Sequence, residues 1–205
     1  INITHGLYDR HISLWASHGR YYDNKKGFWK WQRPNLFGTT EDLFTQTIVV
    51  PFLIPMLENA GAVVFTPRER DWQTDEYIVD NDGGLNSSDS QYKEYAESGS
   101  WLTAPHEGFK AHSGHYVDHE NPFLAGTARM MKASKKSDKA FVKYQPHFAK
   151  EGRYAVYVSY QSLPNSVDDA HYTVFHKGQA TEFRVNQQMG GGTGVYLGTF
   201  DFDKG

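Results

Sequence analysis

The sequence of 205 residues contains no cysteine, which excludes disulfide bonds, thiolate metal ligands and a cysteine nucleophile. Basic residues are not concentrated either. The formal net charge is −3, and the one lysine-rich segment, KASKKSDK at 132–139, is predicted to be a solvated linker. Nucleic acid is therefore not an expected partner. No apolar run approaches the ~20 residues that cross a membrane. Since the chain starts at Ile1 without a charged and apolar leader, we expect that any secretion signal has been removed or was never present.

Aromatic residues are abundant by contrast. The chain has 13 Tyr, 13 Phe and 5 Trp, although its mean hydropathy of −0.66 is that of a hydrophilic protein. Such a composition is typical of surfaces that stack on sugars, but tyrosine-rich β-sheets have it as well. Composition therefore leaves a sugar-binding role and a purely structural role open.

Strand and helix signals alternate in the first part of the chain. The apolar segments HISLWA at 11–16 and AVVFT at 62–66 predict two short buried strands. Between them, the segment 39–61 predicts a helix that threonine caps and glycine ends, and that Pro51 and Pro55 kink or interrupt. Strand, helix and strand in this order indicate a βαβ unit, and hence a parallel sheet covered by helices.

Short strands with period-two patterning dominate the end of the chain. In RYAVYVSY at 153–160, alternate residues from Tyr154 onward share one face. The segments HYTVFH and TEFRVNQ flank KGQA, which predicts a hairpin with Gly178 in its turn, and VYLGTFDF at 195–202 predicts a further strand. Several short strands joined by polar turns favour an antiparallel β-sandwich.

The middle of the chain, from about residue 80 to residue 137, has no clear period and is interpreted as loops and a connection. We therefore predict two domains. Residues 1–125 form an α/β domain with a parallel sheet and helices, and residues 126–205 form an all-β antiparallel sandwich.

One pair of residues in the α/β part suits a metal. His18 follows the first predicted strand, at the sheet edge where open α/β folds bind ligands, and Glu41 lies in the first turn of the predicted helix. Zinc accepts both types of ligand, and a catalytic zinc site normally holds three protein ligands and one water. The alternatives are that His18 hydrogen-bonds a loop and that Glu41 only complements the helix N-terminus.

Longer stretches resemble known families. Three segments together resemble the fold of zinc-dependent N-acetylmuramoyl-L-alanine amidases. They are SLWASHG, the helix that opens with Glu41, and LIPMLENAGAVVFTPRERD. The segment 151–202 resembles the golvesin/xanthan-lyase carbohydrate-binding-like domain. The whole arrangement is similar to secreted bacterial proteins named xanthan lyases or amidases, in which that β-domain interrupts the amidase fold.

The resemblance implies specific roles for four residues. His18 and Glu41 would bind Zn²⁺. Arg20 and Arg68 would steer an acidic peptide, or would be ordinary ion-pair residues of the surface. In the interrupted proteins the third zinc ligand, a histidine, and the catalytic glutamate follow the β-domain, so we expect them beyond Gly205.

Two departures from the family pattern lie within the chain. Pro67 separates Thr66 from Arg68 in TPRERD, and Gly194 stands where these relatives usually have tryptophan.

The function that the resemblance implies is hydrolysis of the N-acetylmuramoyl-L-alanine bond of peptidoglycan by a secreted, periplasmic or cell-surface bacterial enzyme with an accessory carbohydrate-binding-like domain. Zinc would lower the pKa of its bound water to about 7, and a glutamate would carry a proton to the leaving amine. Expected partners are peptidoglycan or another polysaccharide, and a carboxyl-terminal half or another cell-envelope protein. The alternative is a catalytically inactive cell-surface scaffold that binds polysaccharide or protein. A third hypothesis is a polysaccharide lyase.

Weaker candidates lie elsewhere in the chain. The segment PHEGFKAHSGHYVDHE holds four histidines. Two of them are four residues apart, which is the spacing of paired metal ligands on a helix, but the glycines of the segment favour a loop. MGGGTG at 189–194 lacks the following helix of a phosphate-binding loop and favours a turn. A polar turn is favoured over a calcium site for Asp168, Asp169 and His171. A nucleophile–base pair of Ser13 or Ser17 with His18 is disfavoured, because neighbouring side chains on a strand point to opposite faces. The four histidines are His106, His112, His115 and His119.

Overall fold

The computed structural model describes residues 6–71, 73–85, 88–134 and 140–205. The chain divides into two compact units, residues 1–71 and residues 72–205. This division lies well before the boundary of 125/126 expected from the sequence. Strand pairing explains the difference, because strands on either side of residue 125 pair with each other in the second unit.

The first unit contains the βαβ arrangement that the sequence predicts. Strand β1 (His11–Ser13) pairs in parallel with β6 (Val63–Phe65). Between them lie a hairpin of β2 (Arg20–Asp23) and β3 (Phe28–Trp31), and the short pair β4 (Asn35–Leu36) and β5 (Thr39–Thr40).

The helix that follows is interrupted where the prolines predict it. Helix α1 (Glu41–Ile48) continues through a π-helical turn (Val49–Leu53) into α2 (Ile54–Asn59). Pro51 lies in the π-helical turn and has no N–H to donate, so the regular hydrogen-bond ladder cannot pass through it. Thr40 precedes α1, but its side chain makes no capping hydrogen bond, contrary to the prediction.

A small apolar core holds the helices against β6. Val49, Ile54, Ala62 and Val64 are its buried residues. Many large apolar side chains of residues 6–71 remain exposed, including Phe37, which is 98% exposed. The first unit therefore buries little of its apolar surface.

The second unit is built from antiparallel strand pairs. The C-terminal strands lie where the sequence predicts them. β11 (Gly152–Val158) pairs with β14 (Val195–Phe202), and β12 (Ala170–His176) forms the predicted hairpin with β13 (Gln179–Val185). Lys177 and Gly178 both have positive φ in the turn between β12 and β13, as a two-residue hairpin turn requires. The Phe200 ring on β14 lies 4.6 Å from the His176 ring on β12, which packs one pair on the other.

Two further pairs include three strands that lie in the region, residues 80–137, that the sequence suggested was loop. Strand β7 (Gln91–Ala96) pairs with β10 (Ala140–Gln145), and β8 (Leu102–Gly108) pairs with β9 (Gly126–Met130). Both pairs join segments distant in sequence, so no short turn motif marks them. The prediction of loops here was wrong for this reason.

Candidate functional site

The loop after β1 places His18 beside an arginine. The Nε2 atom of His18 lies 3.1 Å from Nη2 of Arg33. Nη1 of Arg68 donates hydrogen bonds to the backbone carbonyls of Ser17 (2.6 Å) and His18 (2.9 Å). A Cβ atom at Gly19 would lie 2.6 Å from Cζ of Arg68, so the guanidinium fits only because residue 19 is glycine. Arg68 therefore holds this loop, while its role in substrate binding stays a prediction.

The start of α1 presents two neighbouring carboxylates in opposite environments. Glu41 is exposed, whereas the side chain of Asp42 is fully buried. Oδ2 of Asp42 accepts a hydrogen bond of 2.9 Å from the backbone N–H of Arg33, and its buried Oδ1 has no hydrogen-bond partner among the described residues. Sequence reasoning chose Glu41 and missed Asp42. The seven-residue step from Asp42 to the buried Val49 places both on one helix face, and this spacing could have identified it.

The described residues do not complete a catalytic zinc set. No group of three or more His, Cys, Asp or Glu side chains within residues 6–71, 73–85, 88–134 and 140–205 converges on one point. His18 and Glu41 would supply two of the three protein ligands that such a site takes. Zinc binding by these residues stays a prediction, and no reaction step is derived from it.

The remaining candidates have other surroundings. The Arg20 guanidinium lies 4.8 Å from the centre of the Trp31 ring, a cation–π contact on the β2–β3 hairpin. Residues 111–120 contain no helix, so His115 and His119 do not share a helix face. Nδ1 of His112 donates to the carbonyl of Ser113, and this bond, together with the Glu120 carboxylate, raises the pKa of His112.

The second unit contains an open polar cleft of about 390 Å³. Its walls come from β7, β8, β9 and the segment that precedes them. Hereafter "the cleft" means the site lined by Asn81, Asp82, Tyr92, Glu94, Thr103, Thr127 and Arg129.

An ion pair forms the centre of the cleft. Nε and Nη2 of Arg129 donate to the two carboxylate oxygens of Glu94 at 2.6 and 3.0 Å, and Nη1 donates to Oγ1 of Thr103 at 2.8 Å. The Tyr92 hydroxyl donates to Oε1 of Glu94 at 2.7 Å. Arg129 holds the pKa of Glu94 below its usual value, while burial and the hydrogen bond to Glu94 raise the pKa of Tyr92. At neutral pH the cleft thus holds an ionised Glu94 and a protonated Tyr92.

A second network orders the rim of the cleft. The Asp82 carboxylate accepts hydrogen bonds from the backbone N–H and from the hydroxyl of Thr127. Nδ2 of Asn81 donates to the same hydroxyl at 2.8 Å. Fixed amide, hydroxyl, carboxylate and guanidinium groups suit a ligand rich in hydroxyls. These groups hold one another in place, so the cleft presents a fixed set of donors and acceptors that is suited to binding.

Removing the buried carboxylate should destabilise the first unit, whereas removing its exposed neighbour should not. We expect Asp42→Ala to lower the free energy of unfolding by about 1–3 kcal/mol, because the backbone N–H of Arg33 loses its acceptor. Glu41→Ala should change it by less than about 0.5 kcal/mol. Urea unfolding followed by tryptophan fluorescence measures both variants. Equal losses would contradict the assignment of Asp42 as the structural carboxylate.

Neutralising Glu94 should have an effect that depends on pH. Because its pKa is lowered in the folded state, Glu94 contributes stability that is fully present above its usual value of 4.5 and is lost as the pH falls through the folded value. Glu94→Gln should lower the free energy of unfolding by about 1 kcal/mol at pH 7, with a smaller difference from the wild type at pH 3. Glu182→Gln, on the exposed side of β13, is the matched control. If the difference in stability between Glu94→Gln and the wild type does not change with pH, the ion pair is not the source of that difference.

Comparison with known proteins identifies a family for most of the second unit. No helix among the described residues is long and apolar enough to cross a membrane. No curated protein and no solved structure matches the chain. The profile of the golvesin C-terminal domain matches residues 86–205. This match covers more than half of the chain, contains β7 to β14 and five residues of the cleft, and begins at residue 86 rather than at the predicted domain start of 126. The chain therefore belongs to the golvesin C-terminal domain family.

Proposed function

We propose that this protein is a secreted, cell-surface polysaccharide-binding protein and that its golvesin-type domain makes the contact. The observation that carries the proposal is the cleft, whose polar side chains are held by one another and lie mostly on the domain that matches the family. Such groups are oriented before a ligand arrives, so little conformational entropy is lost on binding.

The chemistry of the cleft suits sugars. A sugar ring presents hydroxyls that both donate and accept hydrogen bonds, and the cleft offers both kinds of partner. Glu94 and Asp82 accept, Arg129 donates, and Asn81 does either. Tyr92 adds part of an aromatic ring to the wall. Peptidoglycan and other cell-envelope polysaccharides are the ligands that we propose.

The zinc-amidase hypothesis concerns residues 6–71. It is supported by the resemblance and by the position of His18 after β1 and of Glu41 at the first residue of α1. The exposure of Glu41 and the contact of His18 with Arg33 favour instead a scaffold without catalytic activity. We therefore place the amidase second to the binding function.

Metal analysis separates these two possibilities. For the full-length protein, the amidase hypothesis predicts stoichiometric zinc that is lost in both His18→Ala and Glu41→Ala, together with release of free peptide from muropeptides. The scaffold predicts that polysaccharide binding persists in both variants and that no peptide is released. Unsaturated uronate absorbance would instead identify the lyase.

Substitutions in the cleft test the binding function. We expect the full chain to be retained by insoluble peptidoglycan or by at least one cell-envelope polysaccharide. Asn81→Ala and Thr103→Val should each weaken this binding about fivefold, because each removes about one hydrogen bond. Both leave the ion pair between Glu94 and Arg129 in place. Asn165→Ala, in an exposed loop of the same domain, is the control. Absence of binding to any polysaccharide would refute the proposal.

A further inference from the structure

The strand pair β7–β10 has a second exposed face, opposite the one that carries Tyr92 and Glu94. Because side chains alternate along a strand, the residues at odd positions of β7 and their partners on β10 share this face. We call it the outer face. It consists of the cross-strand pairs Tyr95 with Phe141, Lys93 with Lys143, and Gln91 with Gln145.

Two aromatic rings stack at one end of the outer face. The centroids of Tyr95 and Phe141 lie 4.5 Å apart with an interplanar angle of 18°. Tyr95 is 41% exposed and Phe141 is 48% exposed, so much of their apolar surface is still in contact with water. Covering this surface with the C–H face of a sugar ring would be favourable.

Two lysines face each other at the next position along the strands. Like charges directly opposite in an antiparallel pair destabilise it, so stability alone does not account for Lys93 beside Lys143. Both residues are exposed, and neither has an ion pair within the part of the chain that the structure describes. Their positive charges therefore add, although the chain as a whole has a net charge of −3.

The spacing of the pairs fits a polymer rather than a single sugar. Successive pairs on one face of a strand are about 7 Å apart, which is of the order of one sugar residue. The two amides of Gln91 and Gln145 follow the lysines and can bind hydroxyls. The outer face thus presents an apolar contact, two cations and two amides in a line.

We propose that the outer face binds a polysaccharide that carries carboxylates, as uronate-containing chains do. One sugar ring packs on Tyr95 and Phe141, the carboxylate of the next residue binds Lys93 and Lys143, and hydroxyls reach Gln91 and Gln145. This inference rests on the proposed polysaccharide-binding function and names the class of ligand. Charge complementarity favours an acidic chain over a neutral one, and two isolated lysines on an acidic protein disfavour nucleic acid.

Calorimetric titration of the full chain with hexagalacturonate tests this proposal. Fully methyl-esterified hexagalacturonate is the matched neutral probe, since it has the same sugars without the charge. We expect Lys93→Gln and Lys143→Gln each to weaken binding of the charged probe by up to about fivefold. Tyr95→Ala should weaken binding of both probes about tenfold. Lys204→Gln, an exposed lysine outside this face, should change neither, and added salt should weaken binding of the charged probe only.

Several outcomes would overturn the proposal. One is equal binding of the two probes, and another is equally tight binding of a single-stranded oligonucleotide of the same charge. If Asn81→Ala and Thr103→Val abolish binding while the lysine variants do not, the cleft binds the polysaccharide and only the outer-face proposal fails. If no charged or neutral polysaccharide binds, both proposals fail. Circular dichroism of each variant excludes loss of the fold as the cause.

Discussion

The ion pair between Glu94 and Arg129 is the contact that joins two strand pairs of the second unit. Glu94 lies on β7, which pairs with β10, and Arg129 lies on β9, which pairs with β8. The two parallel hydrogen bonds therefore join two strand pairs that, among the described residues, form separate two-stranded sheets. A bidentate pair of this kind specifies orientation as well as distance. The ion pair thus links β7 to β9, two strands that line the cleft.

Because side chains alternate along each strand, the β7–β10 pair also has two chemically different faces. The face with Glu94 and Tyr92 is polar and internally hydrogen-bonded, while the outer face has aromatic rings and lysines without such partners among the described residues. A polar network that satisfies itself is suited to selecting hydroxyl geometry. An exposed stack beside paired cations is suited to holding an acidic polymer. Together they would let one small domain contact a polysaccharide at two places.

Two neighbouring carboxylates of the first unit lie in opposite environments. Glu41 and Asp42 are both acidic residues in the first turn of α1, but the helix turns Asp42 inward onto the backbone of Arg33 and leaves Glu41 in water. The βαβ order and the interruption at Pro51 are as predicted. The contacts of His18 and Arg68, by contrast, involve residues 15 and 50 positions away.

Local interactions account for the elements that were predicted from the sequence. Short strand patterns predicted β11 to β14, Gly178 predicted the turn between β12 and β13, and a proline without an N–H predicted the interruption of the helix. The resemblance to the golvesin domain, confirmed by the family match, also rested on this segment. The pairing of β7 with β10, the domain division and the cleft could be found only from the folded structure. Each of these depends on side chains that meet across dozens of residues, where neither periodicity nor turn chemistry specifies the partner.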